Sequence, residues 1–155
     1  MEITLLEQRR IEAQILKTVY DVLKEDYGEE KAKEALLKTI ERSAVEAGRK
    51  MAEKENVKPG PRELAAIQPL WQKGGALETR VLKLDDNTFD YEVTRCAYCE
   101  MYRELGIEDL GFILSCSRDS GFVKGYAPDL LLIRKSTIME GGDICHFHYY
   151  LETKK

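Results

Sequence analysis

The sequence predicts an α+β fold, in which N-terminal helices pack on a four-stranded, mainly antiparallel sheet. Through residues 1–75, apolar side chains recur at the spacing of a helix. Through residues 76–155, the spacing changes to the two-residue alternation of strands. Because 155 residues suffice for one core, we expect the helical part and the sheet part to form a single domain.

Two long helices are predicted first, one from near Thr4 to Tyr27 and one that begins around Glu29, with Gly28 between them. The first helix presents an apolar stripe, and the second presents a stripe rich in small residues: Ile11, Ile15, Val19, Val22 and Leu23 in the first, and Ala32, Ala35, Leu36, Ile40, Ala44, Ala47, Gly48 and Met51 in the second. Small side chains let another helix approach closely. We therefore expect two packed helices, and a homo-oligomer formed through these N-terminal helices is the alternative.

A third helix is expected to start at Pro61, with an apolar side that includes Leu64 and Trp71, a kink at Pro69 and an end at Gly74. The rest of the chain predicts strands at residues 77–84, 89–94, 129–137 and 144–152, and helices at residues 98–105 and 108–115.

Two details of the second half bear on a site. Between Cys116 and Gly125, the glycines predict a turning backbone. In the last strand, alternation places Cys145, Phe147, Tyr149 and Leu151 on one face, and His146 and His148 on the other.

Composition and charge argue against two classes of partner, nucleic acid and membrane. The net charge of −4, without a basic patch, argues against nucleic acid. No run approaches the roughly eighteen apolar residues of a membrane span, and the N-terminus has no apolar export segment, so we expect a cytoplasmic protein without a membrane partner. Its four cysteines are then expected to be free thiols.

All four cysteines and both histidines fall within residues 89–150, so we expect any catalytic or binding site to lie there. Cys96 and Cys99 form a CxxC pair, which is typical of a redox dithiol, of half a zinc site or of two half-buried cysteines. A closed zinc site would also need Cys116 and Cys145, but no second CxxC exists. We therefore predict no metal and no other cofactor.

Charged residues complete the candidate site. Cys116 and Asp119 are close enough in sequence to share a pocket. The alternative is a buried cysteine beside an aspartate that caps the following turn. Arg134, in an apolar strand, must meet an acid such as Asp119 or Glu100, or an anionic ligand. The two histidines could bind a metal or shuttle protons, and the alternative is that they lie on an exposed face of the sheet.

An ordered set of motifs resembles the L-2-amino-thiazoline-4-carboxylic acid hydrolase family. The motifs are Cys96-x-Tyr98-x-Glu100, Leu105-Gly106, Cys116-x-x-Asp119, Gly125, Pro128, Arg134-x-x-Thr137 and Gly142-Asp-x-Cys145-x-Phe147. The resemblance covers the sheet half well and the helical half only in layout. It implies opening of a small cyclic amidine to a carbamoyl-cysteine, an activity that belongs to cysteine metabolism.

The resemblance also implies roles for individual residues. Asp119 or Glu100 would be the general base, and Cys116 would be a nucleophile or a pocket wall. A small-molecule carboxylate would be bound by Arg134, with Thr137 assisting by hydrogen bonding. The remaining substrate-binding residues would be Cys96, Tyr98 and Cys145.

The closing hairpin also resembles small-molecule-binding domains of the 4-vinyl-reductase type. That resemblance implies a non-catalytic binding or accessory domain, in some members with zinc held by cysteines near this hairpin. Here Thr137, not a cysteine, stands eight residues before Cys145.

Overall fold

The computed structural model describes residues 2–152, which form seven α-helices and four strands. The elements are α1 (Leu5–Tyr27), α2 (Glu29–Ala52), α3 (Pro61–Ile67), α4 (Pro69–Gln72), β1 (Leu77–Leu84), β2 (Thr88–Cys96), α5 (Ala97–Glu104), α6 (Glu108–Gly111), α7 (Arg118–Tyr126), β3 (Leu130–Arg134) and β4 (Cys145–Leu151). The predicted α+β class is confirmed. Within the described range, no helix is both long and apolar enough to cross a membrane.

Helix α1 begins as its sequence dictates, but it buries a different side from the predicted one. Thr4 and Glu7 form a capping box, in which each side chain accepts the other residue's backbone N–H. The buried side consists of Leu6, Ala13, Leu16, Tyr20 and Leu23. Most of the predicted stripe is exposed: Ile11, Ile15, Val19 and Val22. The helix has two apolar sides, and periodicity alone could not say which one faces the core.

The small-residue stripe of α2 packs most closely against α7, a helix that the sequence analysis missed. A Cβ added at Gly48 would lie 2.1 Å from the carbonyl oxygen of Phe122, and one added at Gly125 would lie 2.1 Å from that of Val45. The turning backbone predicted between Cys116 and Gly125 is therefore wrong. Gly121 and Gly125 serve close helix contact, and neither has a positive φ.

The sheet has the strand order β1-β2-β4-β3, and each neighbouring pair is antiparallel. Pairing of Tyr91 with Phe147 and of Val93 with Cys145 puts these side chains on one face, where α7 and α3 cover them. The alternation predicted for the last strand is thus confirmed. His146 and His148 point to the other face, where both lie near Asp90.

Two further differences from the predicted elements lie near the site. The helix predicted at residues 108–115 is α6 followed by a π-helical turn, Phe112–Cys116. Strand β3 ends at Arg134, so Thr137 belongs to the loop and caps a short 3₁₀ turn, Ile138–Glu140. Single π-helical turns often occur at functional sites, and this one leads directly into α7.

Candidate active site

A cavity of about 110 Å³ lies between the inner face of the sheet and helices α1, α2 and α7. Its walls are mostly apolar and aromatic, and they are interrupted by thiols and a few charged groups. The polar and charged groups of the wall include those of Arg9, Tyr98, Cys116, Arg118, Asp119 and Tyr149. An apolar cavity with a few convergent polar groups is the usual form of a small-molecule site.

Asp119 is the acid of the cavity. It lies in the first turn of α7, and its Oδ2 accepts a hydrogen bond of 2.6 Å from Nη1 of Arg134. The same Nη1 donates to the backbone oxygen of Cys116 at 3.1 Å. The guanidinium also lies over the rings of Phe112 and Phe147, with its carbon 5.5 and 5.3 Å from their centroids. Arg134 is thus held from several sides.

Burial raises the pKa of Asp119 from 3.8 to about 6, although Arg134 opposes the rise by charge and hydrogen bonding. The side chain of Asp119 is 26% exposed, but it lines the cavity, so much of that surface faces a mostly apolar space. Desolvation disfavours a carboxylate and a nearby cation favours it. Here desolvation is the larger effect, and a carboxyl group with a pKa about 6 suits a general base near neutral pH.

Three thiols line the cavity, and burial raises the pKa of each: Cys96, Cys116 and Cys145. The pKa of Cys96 is raised to about 11, although its sulfur accepts the backbone N–H of Cys99 at the start of α5. Asp119 adds to the rise at Cys116. These thiols are therefore protonated near neutral pH, which opposes both a thiolate nucleophile and a redox dithiol.

A second charged cluster joins α1 to α7. Nη1 of Arg9 donates to Oε1 of Glu12 at 2.7 Å, and Nη2 of Arg118 lies 3.4 Å from the same oxygen. Nε of Arg118 donates to the backbone oxygen of Leu114 at 2.8 Å. Burial lowers the pKa of Arg118, and the charge of Arg9 lowers it further.

Aromatic residues shape the rest of the wall. Tyr91 and Tyr149 are 4% and 2% exposed, and their stacked rings have centroids 6.3 Å apart. Burial raises the pKa of both, so they remain neutral. The hydroxyl of Tyr98 donates to the backbone oxygen of Trp71 at 3.0 Å. These groups present ring surfaces suited to a flat, small ligand.

The structure brings only some of the predicted site residues together. Asp119, Cys116, Cys96, Cys145 and Tyr98 line one cavity. Three other predicted residues do not line it: Glu100, Thr137 and Arg134.

Each of these three is engaged elsewhere. Glu100 is half exposed and forms a two-pronged ion pair with Arg95. Thr137 is 3% exposed and bonds to Glu140. Arg134 lies behind Asp119.

The sequence analysis missed Arg9 and Arg118. Arg9 lies three residues after Leu6 and four before Ala13, on the side of α1 that is buried. The signal was present, but it depended on choosing the correct apolar side. Arg118 lies inside the Cys116-to-Asp119 motif, where only the thiol and the acid were considered.

The zinc interpretation gains no support from the geometry. Among residues 2–152, no three side chains of His, Cys, Asp or Glu are grouped as metal ligands. Cys99 is buried at 1% exposure but does not line the cavity, and His146 and His148 lie on the opposite face of the sheet. All four cysteines are free thiols.

A family model named L-2-amino-thiazoline-4-carboxylic acid hydrolase matches residues 8–149, which is most of the chain. The chain belongs to this family. The match includes both helical and sheet halves, and so reaches Arg9 as well as Asp119. The suspected resemblance, which covered the helical half only in layout, is confirmed and extended.

A similar fold is found among solved structures. One similar structure is the phenol-responsive sensory domain of the transcription activator PoxR with phenol, at a TM-score of 0.56 and 12% sequence identity. The alignment covers 90% of this chain and 73% of that domain. No curated protein matches the sequence. The likeness at this identity concerns the fold alone.

Proposed function

We propose that the protein is a hydrolase that opens a small cyclic amidine, such as L-2-amino-thiazoline-4-carboxylate, to a carbamoyl-cysteine. Membership of the family supports the reaction class. The observation that carries the proposal is Asp119, a cavity-lining carboxyl group whose pKa is raised to about 6. The cavity of about 110 Å³ is comparable to the roughly 150 Å³ engineered cavities that accommodate a benzene ring, so it suits a single small ring.

In the proposed reaction, the Asp119 carboxylate takes a proton from water while the water oxygen attacks the amidine carbon between the ring sulfur and the ring nitrogen. The resulting tetrahedral intermediate then breaks one ring bond from that carbon. The departing atom takes the proton back from Asp119, and one water has been added to the substrate. Rupture of the carbon–sulfur bond gives the N-carbamoyl product, and rupture of the carbon–nitrogen bond gives the S-carbamoyl product.

Arg134 acts in this scheme through Asp119. Its hydrogen bond fixes one carboxylate oxygen, which leaves the other oxygen to meet water. Arg134 is therefore proposed as a positioning residue and not as the substrate's anchor. Cys116 is proposed as a wall of the cavity, because burial raises its pKa and keeps the thiol protonated.

The test is direct. The purified protein is incubated with L-2-amino-thiazoline-4-carboxylate in ¹⁸O-labelled water, and the product is followed by mass spectrometry. We expect enzyme-dependent gain of one water, with one labelled oxygen in the carbamoyl group. A thiol reagent then reports whether the carbon–sulfur bond was broken. Conversion no faster than in buffer alone would reject this substrate.

A non-catalytic small-molecule-binding domain is the second candidate. The favouring observation is the mostly apolar wall with its several aromatic rings, together with a fold shared with a sensory domain. In that case Asp119 and Arg134 would neutralise each other and activate no water. Saturable binding of a small ring compound, with no turnover of any cyclic amidine tested, would favour this candidate over the hydrolase.

A further inference from the structure

Arg9 and Arg118 present two guanidinium groups to the cavity that are shielded from bulk solvent. Their side chains are 14% and 13% exposed, and both residues line the cavity. They come from different elements, α1 and α7, so the fold brings them together across the cavity wall. Like charges held close at low exposure are costly unless an anion accompanies them.

The charges around the cavity do not balance. Three guanidinium groups lie on or directly behind its wall, those of Arg9, Arg118 and Arg134. Within the described residues 2–152, only two carboxylates pair with them, those of Glu12 and Asp119. Asp119 is taken by Arg134, so Glu12 alone is shared between the other two. The result is one surplus positive charge beside Arg9 and Arg118.

The hydrogen bonds of this cluster leave donors free. Arg9 uses Nη1 and Arg118 uses Nε and Nη2. Among residues 2–152, no acceptor is bound to Nη2 of Arg9 or to Nη1 of Arg118. Unused guanidinium donors beside a surplus positive charge are suited to a carboxylate, which accepts such bonds in pairs.

We propose that Arg9 and Arg118 form the site for the carboxylate of the substrate, with Glu12 holding the two guanidinium groups in place. This assignment rests on the proposed function and deepens it, since it orients a cyclic amidino acid. With its carboxylate on Arg9 and Arg118, the substrate has its ring in the same cavity as Asp119. Arg134, which the sequence analysis assigned to the carboxylate, is already neutralised.

The experiment compares two probes by calorimetry, L-2-amino-thiazoline-4-carboxylate and 2-amino-2-thiazoline, which lacks the carboxylate. It uses the Asp119→Asn protein, so that no probe is consumed during titration. We expect the carboxylate probe to bind roughly 10- to 100-fold more tightly than the probe without the carboxylate, as charge-assisted hydrogen bonds contribute in this range. Because Asp119→Asn leaves Arg134 without its acid, the titrations are repeated with Arg134→Met added, and the preference is expected to remain. This preference is expected to disappear when Arg9→Gln or Arg118→Gln is added.

Arg10→Gln is the matched control. Arg10 is adjacent on the same helix, but it is 43% exposed and pairs with Glu104. We expect that variant to keep the full preference for the carboxylate probe. Arg118→Lys, which keeps the charge and loses the planar fork, is expected to retain part of it. Thermal melting of each free protein confirms that the variants are folded.

Three outcomes would overturn the assignment. They are equal affinity for the two probes, a preference that survives both glutamine variants, or failure of the carboxylate probe to bind. The result is independent of turnover. A wild-type protein that prefers the carboxylate through Arg9 and Arg118 but does not hydrolyse it would reject the proposed reaction and keep the site.

Discussion

Arg118 and Asp119 are consecutive residues at the start of α7, yet their side chains enter different electrostatic settings. Asp119 meets Arg134 of β3 in a one-to-one pair. Arg118 meets Glu12 of α1, which it shares with Arg9. The first setting is neutral when the acid is ionised, and the second keeps a surplus positive charge. Adjacent residues therefore acquire different chemistry from the elements that face them.

The two settings suit different steps of one reaction. A carboxylate already held by a cation keeps a fixed geometry while burial raises its pKa, which is the requirement for a base. A pair of guanidinium groups with one shared acid retains donors for an incoming anion. We therefore expect changes at Asp119 to affect turnover, and changes at Arg9 and Arg118 to affect binding.

The largest expected effect is on turnover in Asp119→Asn. Loss of the base should lower kcat for the cyclic amidine by roughly 10²- to 10⁴-fold, the usual contribution of general acid–base catalysis. Affinity should change little, because asparagine keeps the shape and can still accept from Arg134. Asp90→Asn is the control, since Asp90 also pairs with basic side chains but on the other face of the sheet. Equal loss in both variants would contradict the role of Asp119.

Arg134→Met tests the neutral pair through stability. It leaves a carboxylate of low exposure without its cation, which should cost about 3–5 kcal/mol of unfolding free energy at pH 8. Below pH 6, Asp119 can take up a proton, so the cost should shrink. Urea unfolding at pH 8 and pH 5 measures both values. Arg80→Met is the control, because Arg80 is 68% exposed beside Glu92 and should cost at most about 1 kcal/mol.

An equal cost for Arg134→Met at both pH values would show that the loss comes from packing alone. Arg134 also lies over Phe112 and Phe147, so packing does contribute. The pH dependence separates the two causes, because the charge of Asp119 depends on pH and the packing of Arg134 against the rings does not.

The sequence predicted the class of fold and named five of the residues that line the cavity, and its failures have physical causes. Period-two alternation identified the inner face of β4 because strand side chains alternate strictly. Helix α7 was missed because glycine is read locally as a turn residue, whereas here Gly121 and Gly125 allow contact with α2. Arg9 was missed because α1 has two apolar sides. Both failures concern which partner lies opposite, which local sequence does not encode.

The pH dependence of turnover sharpens the comparison further. Because the base acts when deprotonated, kcat/KM should fall about tenfold per pH unit below pH 6 and level off above pH 7. An ordinary aspartate would hold the plateau down to about pH 4. In Arg134→Gln the fall of kcat/KM on the acidic side should begin at a higher pH, because Arg134 lowers the pKa of Asp119. A profile that is flat from pH 5 to pH 8 would exclude Asp119 as the titrating base.

The smallest expected effect is that of Cys116→Ala. A wall residue that lacks a thiolate should change kcat/KM by less than about tenfold, through altered shape and a small cavity. A nucleophile, in contrast, would lose nearly all turnover and would form a covalent adduct detectable by mass spectrometry of the quenched protein. Cys99→Ala is the control, because Cys99 is equally a free thiol but does not line the cavity. The outcome that would contradict this prediction is a loss of a hundredfold or more in Cys116→Ala alone, with such an adduct in the wild type. It would show that the sulfur of Cys116, and not water activated by Asp119, attacks the substrate.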